Sequence, residues 1–197
     1  MVIEQDQPSV AETKQKVIRA TVDLIDRSSY SSVTIDAVAR ASGVSRSTIY
    51  RHWPSRQALV LEAFTDKTDR LTAVSDSGDA LADLRTYLLK LAFCLDFGGA
   101  ASTVAGLIAD AIHDEELAHT FRATLIRGRR REFFAILLRG QKRGQVRQDI
   151  DIATVVDALY GAVHHRLLVT RQPIDEPFVS ALVRFAAEGL LEPSTRR

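Results

Sequence analysis

Apolar side chains in this chain recur at spacings of three and four, and almost nowhere at two. That is the period of a helix with one buried face. Residues 10–28 place Val17, Ile18, Thr21, Leu24 and Ile25 on such a face. Three short helices follow within 33–73, and then a polar, glycine-containing break at Ser75–Asp79. Beyond it Leu81, Leu84, Leu88, Leu91 and Leu95 step along a further helix, which Gly98–Gly99 interrupts. The same pattern predicts helices over 101–112 and 115–140, with Gly140 and Gly144 closing the second. QVRQDID reads as a loop, and 152–170 and 175–191 read as a last helical pair parted by Pro173. Strands are not expected: β-branched residues do not alternate, and Asn-Gly and Asp-Gly hairpin pairs are missing. The fold class is therefore all-α, with about nine helices.

The segment 33–64, VTIDAVARASGVSRSTIYRHWPSRQALVLEAF, has the densest local signals. Thr34 can cap one short helix, with Val33 before it and Val38 four residues in. Ser45 can cap the next, flanked in the same way by Val44 and Ile49. Each is an N-cap bracketed by a hydrophobic staple. Gly43 falls where a helix ends in a left-handed residue, and Ser55 after Pro54 opens the following helix. Val44 and Ile49 then point inward with Ile35 and Val38, and Trp53 locks the helix end against its neighbour. Arg46, Ser47, Thr48, Tyr50 and Arg51 are left outside. A helix of about seven residues is marginal by itself in water, and this one is too polar to serve mainly as core. What it presents outward suits the major groove of DNA, where side chains read base edges and flanking groups hold phosphates.

Charge sharpens that reading. The net charge of +1 makes any nucleic-acid surface local. Between Ala37 and Leu61 stand four arginines and no acid, whereas the rest of the chain is near charge balance. A single cysteine, Cys94, cannot form an intrachain disulfide and fits a reducing compartment. No secretory signal and no membrane-spanning apolar run is visible, so a cytoplasmic location is expected, with no membrane partner.

Residues 12–64 resemble the DNA-binding domain of TetR-type (TetR/AcrR family) regulators, most closely in TIDAVARASGVSRSTIYRHWPSRQALV. The shared marks are a Gly-Val-Ser turn, Thr-hydrophobic-Tyr, then His and an aromatic, and a Ser-basic pair opening the fourth helix. Ser47 stands where the family most often has Gly, and Arg56 where it usually has Lys. The resemblance implies a helix-turn-helix DNA-binding domain over 10–56, a connecting helix over 55–73 and a larger helical-bundle domain over 75–191 for ligand binding and dimerisation. It implies that Thr34 and Ser45 hold phosphates, with Tyr50, His52 and Arg56 also on the backbone. The same resemblance implies that Arg46, Ser47, Thr48 and Arg51 lie nearest the bases. The expected partner is double-stranded DNA at a palindromic operator.

The last two helices offer apolar faces wider than one small core needs, which suggests a homodimer through a four-helix arrangement. Val156, Leu159, Val163, Leu167, Val179, Leu182, Val183 and Ala186 are the interface candidates. The family relation also implies a cavity for a small-molecule effector, with Phe93, Cys94, Phe97, Phe121, Phe134, Tyr160 and His164 as candidate walls. Arg127, Arg129, Arg130 and Arg131 read as a solvated basic face, paired with Glu132 and nearby acids. His164–His165 and the set Asp110, His113, Asp114 lack a metal-site spacing, and no phosphate loop or nucleophile elbow appears. No metal, cofactor or enzymatic activity is expected. The reading is a repressor relieved by an apolar or amphipathic ligand. The alternatives are an activator, a ligand-independent regulator, and a small-molecule-binding protein with a vestigial head.

Overall fold

The computed structural model describes residues 9–96 and 99–190. Its helices are α1 (Val10–Arg27), α2 (Ile35–Ser42), α3 (Arg46–His52), α4 (Arg56–Thr72), α5 (Ala80–Leu95), α6 (Ala100–His113), α7 (Glu115–Phe121), α8 (Arg127–Lys142), α9 (Ile152–His164) and α10 (Glu176–Leu190). A 3₁₀ turn, Tyr30–Ser32, joins α1 to α2. The π-turn Arg122–Ile126 carries α7 into α8 without a break, since both flanking residues keep right-handed backbone angles. A second π-turn, His165–Thr170, extends α9. Counted as continuous rods, the described residues form nine helices.

The starts of these helices follow from local chemistry. The Ser9 and Glu12 side chains cap α1 reciprocally. Thr34, Ser45 and Ser55 accept from the backbone N–H of Ala37, Thr48 and Ala58, as their positions predict. Gly43 ends α2 at φ +70°, a left-handed conformation that costs glycine nothing. Asp79 and Asp151 cap α5 and α9 through two backbone amides each.

One correction concerns Gly140. It does not close a helix; α8 runs past it to Lys142, and Gly144 takes the left-handed turn. Gly140 is instead a contact point, where an added Cβ would meet Val146 Cγ2 at 2.6 Å and Ala80 Cβ at 2.7 Å.

The core is continuous from α1 to α10. Val17, Ile18 and Ile25 of α1 pack with Ile35, Val38 and Ile49 at one end. Leu84, Leu88, Leu91, Leu107, Phe133 and Val163 fill the other. Ridges at three- and four-residue spacing let such rods bury one face each. Leu24, expected in the first face, is only partly buried.

Candidate nucleic-acid interface and its joint to the C-terminal helices

Helices α2 and α3 meet at the Gly43 turn, with Ile49 and Val38 buried beneath them. Trp53 is buried at the end of α3, and its indole N–H donates to Glu62 Oε2 of α4 at 2.8 Å. That leaves α3 little rotational freedom. Its outer surface carries Arg46, Ser47, Tyr50 and Arg51, all exposed, with Thr48 and His52 at the margin. The Ser45 hydroxyl stands 3.0 Å from Ser47 Oγ and 2.9 Å from Thr48 Oγ1, so the start of α3 presents a cluster of hydroxyls. Arg46 is held by Asp36 of α2 at 2.9 Å. The His52 ring lies edge-on to Trp53, with centroids 5.7 Å apart.

Arg56 departs from its expected place. Its guanidinium turns inward, donating to the Tyr30 carbonyl at 3.0 Å and to Asp110 Oδ2 of α6 at 3.2 Å. It also stacks over the Tyr30 ring at 4.2 Å. Tyr30 completes the joint: its backbone N–H donates to Ser102 Oγ at 2.9 Å and its hydroxyl to Asp110 Oδ2 at 2.7 Å. Burial raises the Tyr30 phenol pKa, and the bond to Asp110 adds to the rise. The ring lies flat against Gly106, where a Cβ would stand 2.1 Å from Tyr30 Cδ1. Ser102, Gly106 and Asp110 are four residues apart and so share one stripe of α6. The N-terminal helices are thus fastened to α6 by this stripe. Sequence gave no signal for the joint, because Asp110 lies 54 residues from the arginine it pairs with.

The expected cavity walls separate. Phe93 is 74% exposed and points away from any interior, since the buried face of α5 runs through Leu84, Leu88, Leu91 and Leu95. Cys94 and Phe121 are buried, and burial raises the Cys94 thiol pKa. Phe134 is partly buried beneath the Arg130 guanidinium, 5.7 Å away. Phe97 lies outside the described residues. Tyr160 and His164 come together, their rings 4.4 Å apart, at the end of an aromatic column that runs from Tyr87 through Phe133. Burial lowers the His164 pKa, although its Nδ1 stands 2.9 Å from the Tyr160 carbonyl. None of these residues lines the groove of about 730 Å³ between α4 and α7, which His52, Trp53, Leu61 and Leu117 share with five carboxylates.

Two further expectations are overturned. Of the eight interface candidates, all but Leu182 are buried within the single chain. They are its own core, formed where α9 packs on α8 and α10 on α5. The outward residues of that pair include Ala158, Gly161, Val169, Ala181 and Phe185. The basic run is not wholly solvated either: Arg129 is 4% exposed. It follows Leu125 and precedes Phe133 and Leu137 at four-residue steps, all buried. That register was the overlooked signal.

Among the described residues no three metal-ligating side chains converge. No single described helix is long and apolar enough to cross a bilayer.

The architecture recurs in known proteins. Residues 17–63 match the family model of bacterial regulatory proteins of the tetR family. Residues 74–186 match the tetracyclin repressor-like C-terminal domain. The chain is 31% identical over 179 residues to an uncharacterized HTH-type transcriptional regulator, YdeS, of Bacillus subtilis, covering 90% of this chain and 89% of the relative. It is 29% identical to the DNA-binding transcriptional repressor TetR of Mycobacteroides abscessus, over 94% of this chain and 97% of that one. The crystal structure of the TetR family transcription regulator SCO0332 superposes with a TM-score of 0.79 at 34% identity, covering 92% of this chain and all of that one. A capped helix-turn-helix, an arginine-bearing outer face and a larger helical bundle fastened behind it make this chain a member of the TetR family of DNA-binding transcription regulators.

Proposed function

We propose that this chain is a homodimeric repressor that binds a palindromic operator and releases it when a small amphipathic effector enters the C-terminal helices. In this reading residues 10–56 read DNA, the helix over 55–73 connects, and 75–191 sense and pair. Arg46, Ser47, Thr48 and Arg51 face the base edges. Thr34, Ser45, Tyr50 and His52 hold phosphates through hydroxyl, ring and helix N-terminal groups. Arg56 serves the joint.

Magnitudes favour Arg46 as the specific contact. Its pair with Asp36 is exposed at both ends, and such pairs are worth about 0–1 kcal/mol. A bidentate fork on guanine contributes roughly 1–3 kcal/mol of discrimination. Exchange of one for the other on docking is downhill. Two copies pair through the outward stripe of α9 and α10, with Ala158 and Gly161 permitting close approach and Phe185 supplying apolar area. The two recognition helices then meet half-sites about 34 Å apart or slightly more.

The α6 stripe carries the regulatory part. Ser102, Gly106 and Asp110 grip the Tyr30 turn and Arg56, so any shift of α6 moves the head. An effector that prefers the shifted bundle draws the population away from the DNA-bound spacing. Binding to the protein's own promoter fragment, measured against salt, tests the first step. With about ten phosphate contacts per dimer, log K falls by about nine per decade of salt. Absence of sequence-selective binding at about 100 mM salt sinks the proposal. Transcription in a purified system sets the sign: a repressor lowers output from that promoter and an activator raises it.

A further inference from the structure

The groove of about 730 Å³ between α4 and α7 offers a mostly apolar surface, to which Trp53, Pro54, Ala58, Leu61 and Leu117 contribute. Five carboxylates surround it. Glu62, Asp66 and Asp69 step by four and three along α4 and so share one stripe, while Asp114 and Glu116 stand at the start of α7. All but the partly buried Asp66 are exposed, so their oxygens are open to an occupant. Among the described residues, Asp66 is the only one of the five in an ion pair, with Arg70. Glu62 accepts the Trp53 indole N–H and Asp114 the Leu117 amide, and each carboxylate keeps further lone pairs. Asp69 is the least available, since it shares a neighbouring cleft with Arg129 and Arg131. The basic groups at the groove are His52 and Arg70, with Lys14 Nζ 5.8 Å from the Trp53 ring. A chain of net charge +1 thus sets an acidic excess on both walls of one apolar groove. A cleft lined by one sign of charge, with walls of low dielectric, focuses its field on what enters.

We infer that this groove seats a cationic effector, an organic ammonium with an aromatic or alkyl body. The inference rests on the effector reading above and adds the effector's charge and its place. The volume lies within the roughly 300–1,000 Å³ of sites that hold drug-sized molecules. Apolar walls alone suit an uncharged body, and carboxylates alone suit a hydrated cation. Together they select a molecule that is apolar along its length and positive at one end. Position links such an occupant to DNA binding. His52 ends α3 and Trp53 caps it, so the groove touches the end of the recognition helix. Asp114 is the corner between α6 and α7, one turn beyond the Asp110 that holds Arg56 and Tyr30. An ammonium between the two walls neutralises acids that otherwise repel across the groove. It therefore favours a closer spacing of α4 and α7, and that spacing bears on α3 and on the α6 stripe together.

Full-length protein is titrated with 4-phenylbenzylamine, which is protonated at neutral pH, and with 4-phenylbenzyl alcohol and 4-phenylbenzoate, which share its body. Spermidine supplies charge without that body. Calorimetry and melting temperature report binding, and an operator shift assay reports release. The amine binds at least about tenfold more tightly than the alcohol and than spermidine, and the benzoate binds most weakly. Glu62→Gln keeps an oxygen for the Trp53 indole, and Glu116→Gln alters an exposed side chain. Each weakens the amine roughly threefold, the factor for unit charges about 6 Å apart in water, and the pair weakens it about tenfold, with the alcohol unchanged. Thr120→Trp fills the groove from an exposed position and abolishes binding of amine and alcohol alike, with every carboxylate in place. Equal binding of amine and alcohol, no binding of the amine at about 1 mM, or charge variants that leave its affinity unchanged overturns the inference. So does unchanged amine binding in a folded Thr120→Trp. Spermidine binding as tightly as the amine would make the walls a diffuse acidic surface and would also overturn it. Amine binding without operator release keeps the site and refutes effector relief instead. Release by the alcohol or the benzoate that persists in Thr120→Trp does the reverse.

Discussion

Removal of Asp110 tests the joint most directly. Asp110 Oδ2 accepts from the Tyr30 hydroxyl at 2.7 Å and from the Arg56 guanidinium at 3.2 Å. Hydrogen bonds to charged groups contribute about 1.5–3 kcal/mol when dry. Here the Arg56 and Asp110 side chains are 24% and 33% exposed, so screening reduces the pair's share to about 1 kcal/mol. Asp110→Ala therefore costs roughly 1–2 kcal/mol, with the unpartnered Tyr30 hydroxyl included. For a chain of 197 residues that is a fall of roughly 2–8 °C in melting temperature.

A double-mutant cycle with Arg56→Met isolates the pair, and a coupling of about 1 kcal/mol is expected. Operator binding supplies the contrary arm. If Arg56 held a phosphate instead, Arg56→Met would reduce the salt slope of the dimer by about 1.8, from two lost contacts. A coupling below about 0.3 kcal/mol together with that reduced slope refutes the joint. Unchanged slope with clear coupling supports it.

Gly106→Ala drives a methyl into a Tyr30 ring that Arg56 and Asp110 hold in place. It should destabilise by about 1–3 kcal/mol in urea unfolding, and an unchanged midpoint would mean the contact is loose. Phe185→Glu places a charge on the outward stripe of α10, at a side chain 73% exposed in the single chain, and should yield folded monomers by light scattering. Leu159→Ala, by contrast, should cost about 2–5 kcal/mol of stability because Leu159 is core. If Leu159→Ala dissociates a still-folded dimer, the two faces have been assigned the wrong way round. His164 has a lowered pKa in the folded state because it is buried. The unfolded chain takes up the proton first, below a pH of about 6.5, so stability falls as pH drops through that value. His164→Gln should flatten the fall between about pH 7.5 and 5.5 in denaturant midpoints, and an equal slope in both proteins refutes the assignment. Arg46→Ala should cost roughly 1–3 kcal/mol and relax base preference at one operator position, as read by selection from a randomised site. Affinity lost without any change in preference would demote it to a phosphate contact.

The local devices of the head were legible because each is written within a few residues. A cap needs only its own hydroxyl and an amide three positions on, as at Thr34, Ser45 and Ser55. A left-handed stop needs only Gly43. The family motif spans the same short stretch, so the head and the all-α class were available from sequence. The C-terminal assignments fared unevenly for one reason. Apolar periodicity says that a face is buried without saying against what. Val163 and Val179 read equally well as interface and as core, and the chain's own packing claimed them.

Sequence alone thus determined the all-α class, the caps of the head, the Gly43 stop and the kinship, since these depend on neighbours in the chain. Only the tertiary structure decided which arginines are free. Arg46 stays on the surface, in an exposed pair with Asp36. Arg56 is taken by an aspartate 54 residues away. Arg129, one of four basic residues in a polar-looking run, is carried by its four-residue register into the core. Composition counts each as one charge, but the solvent and partners around a charge set its energy, and those are decided by the fold.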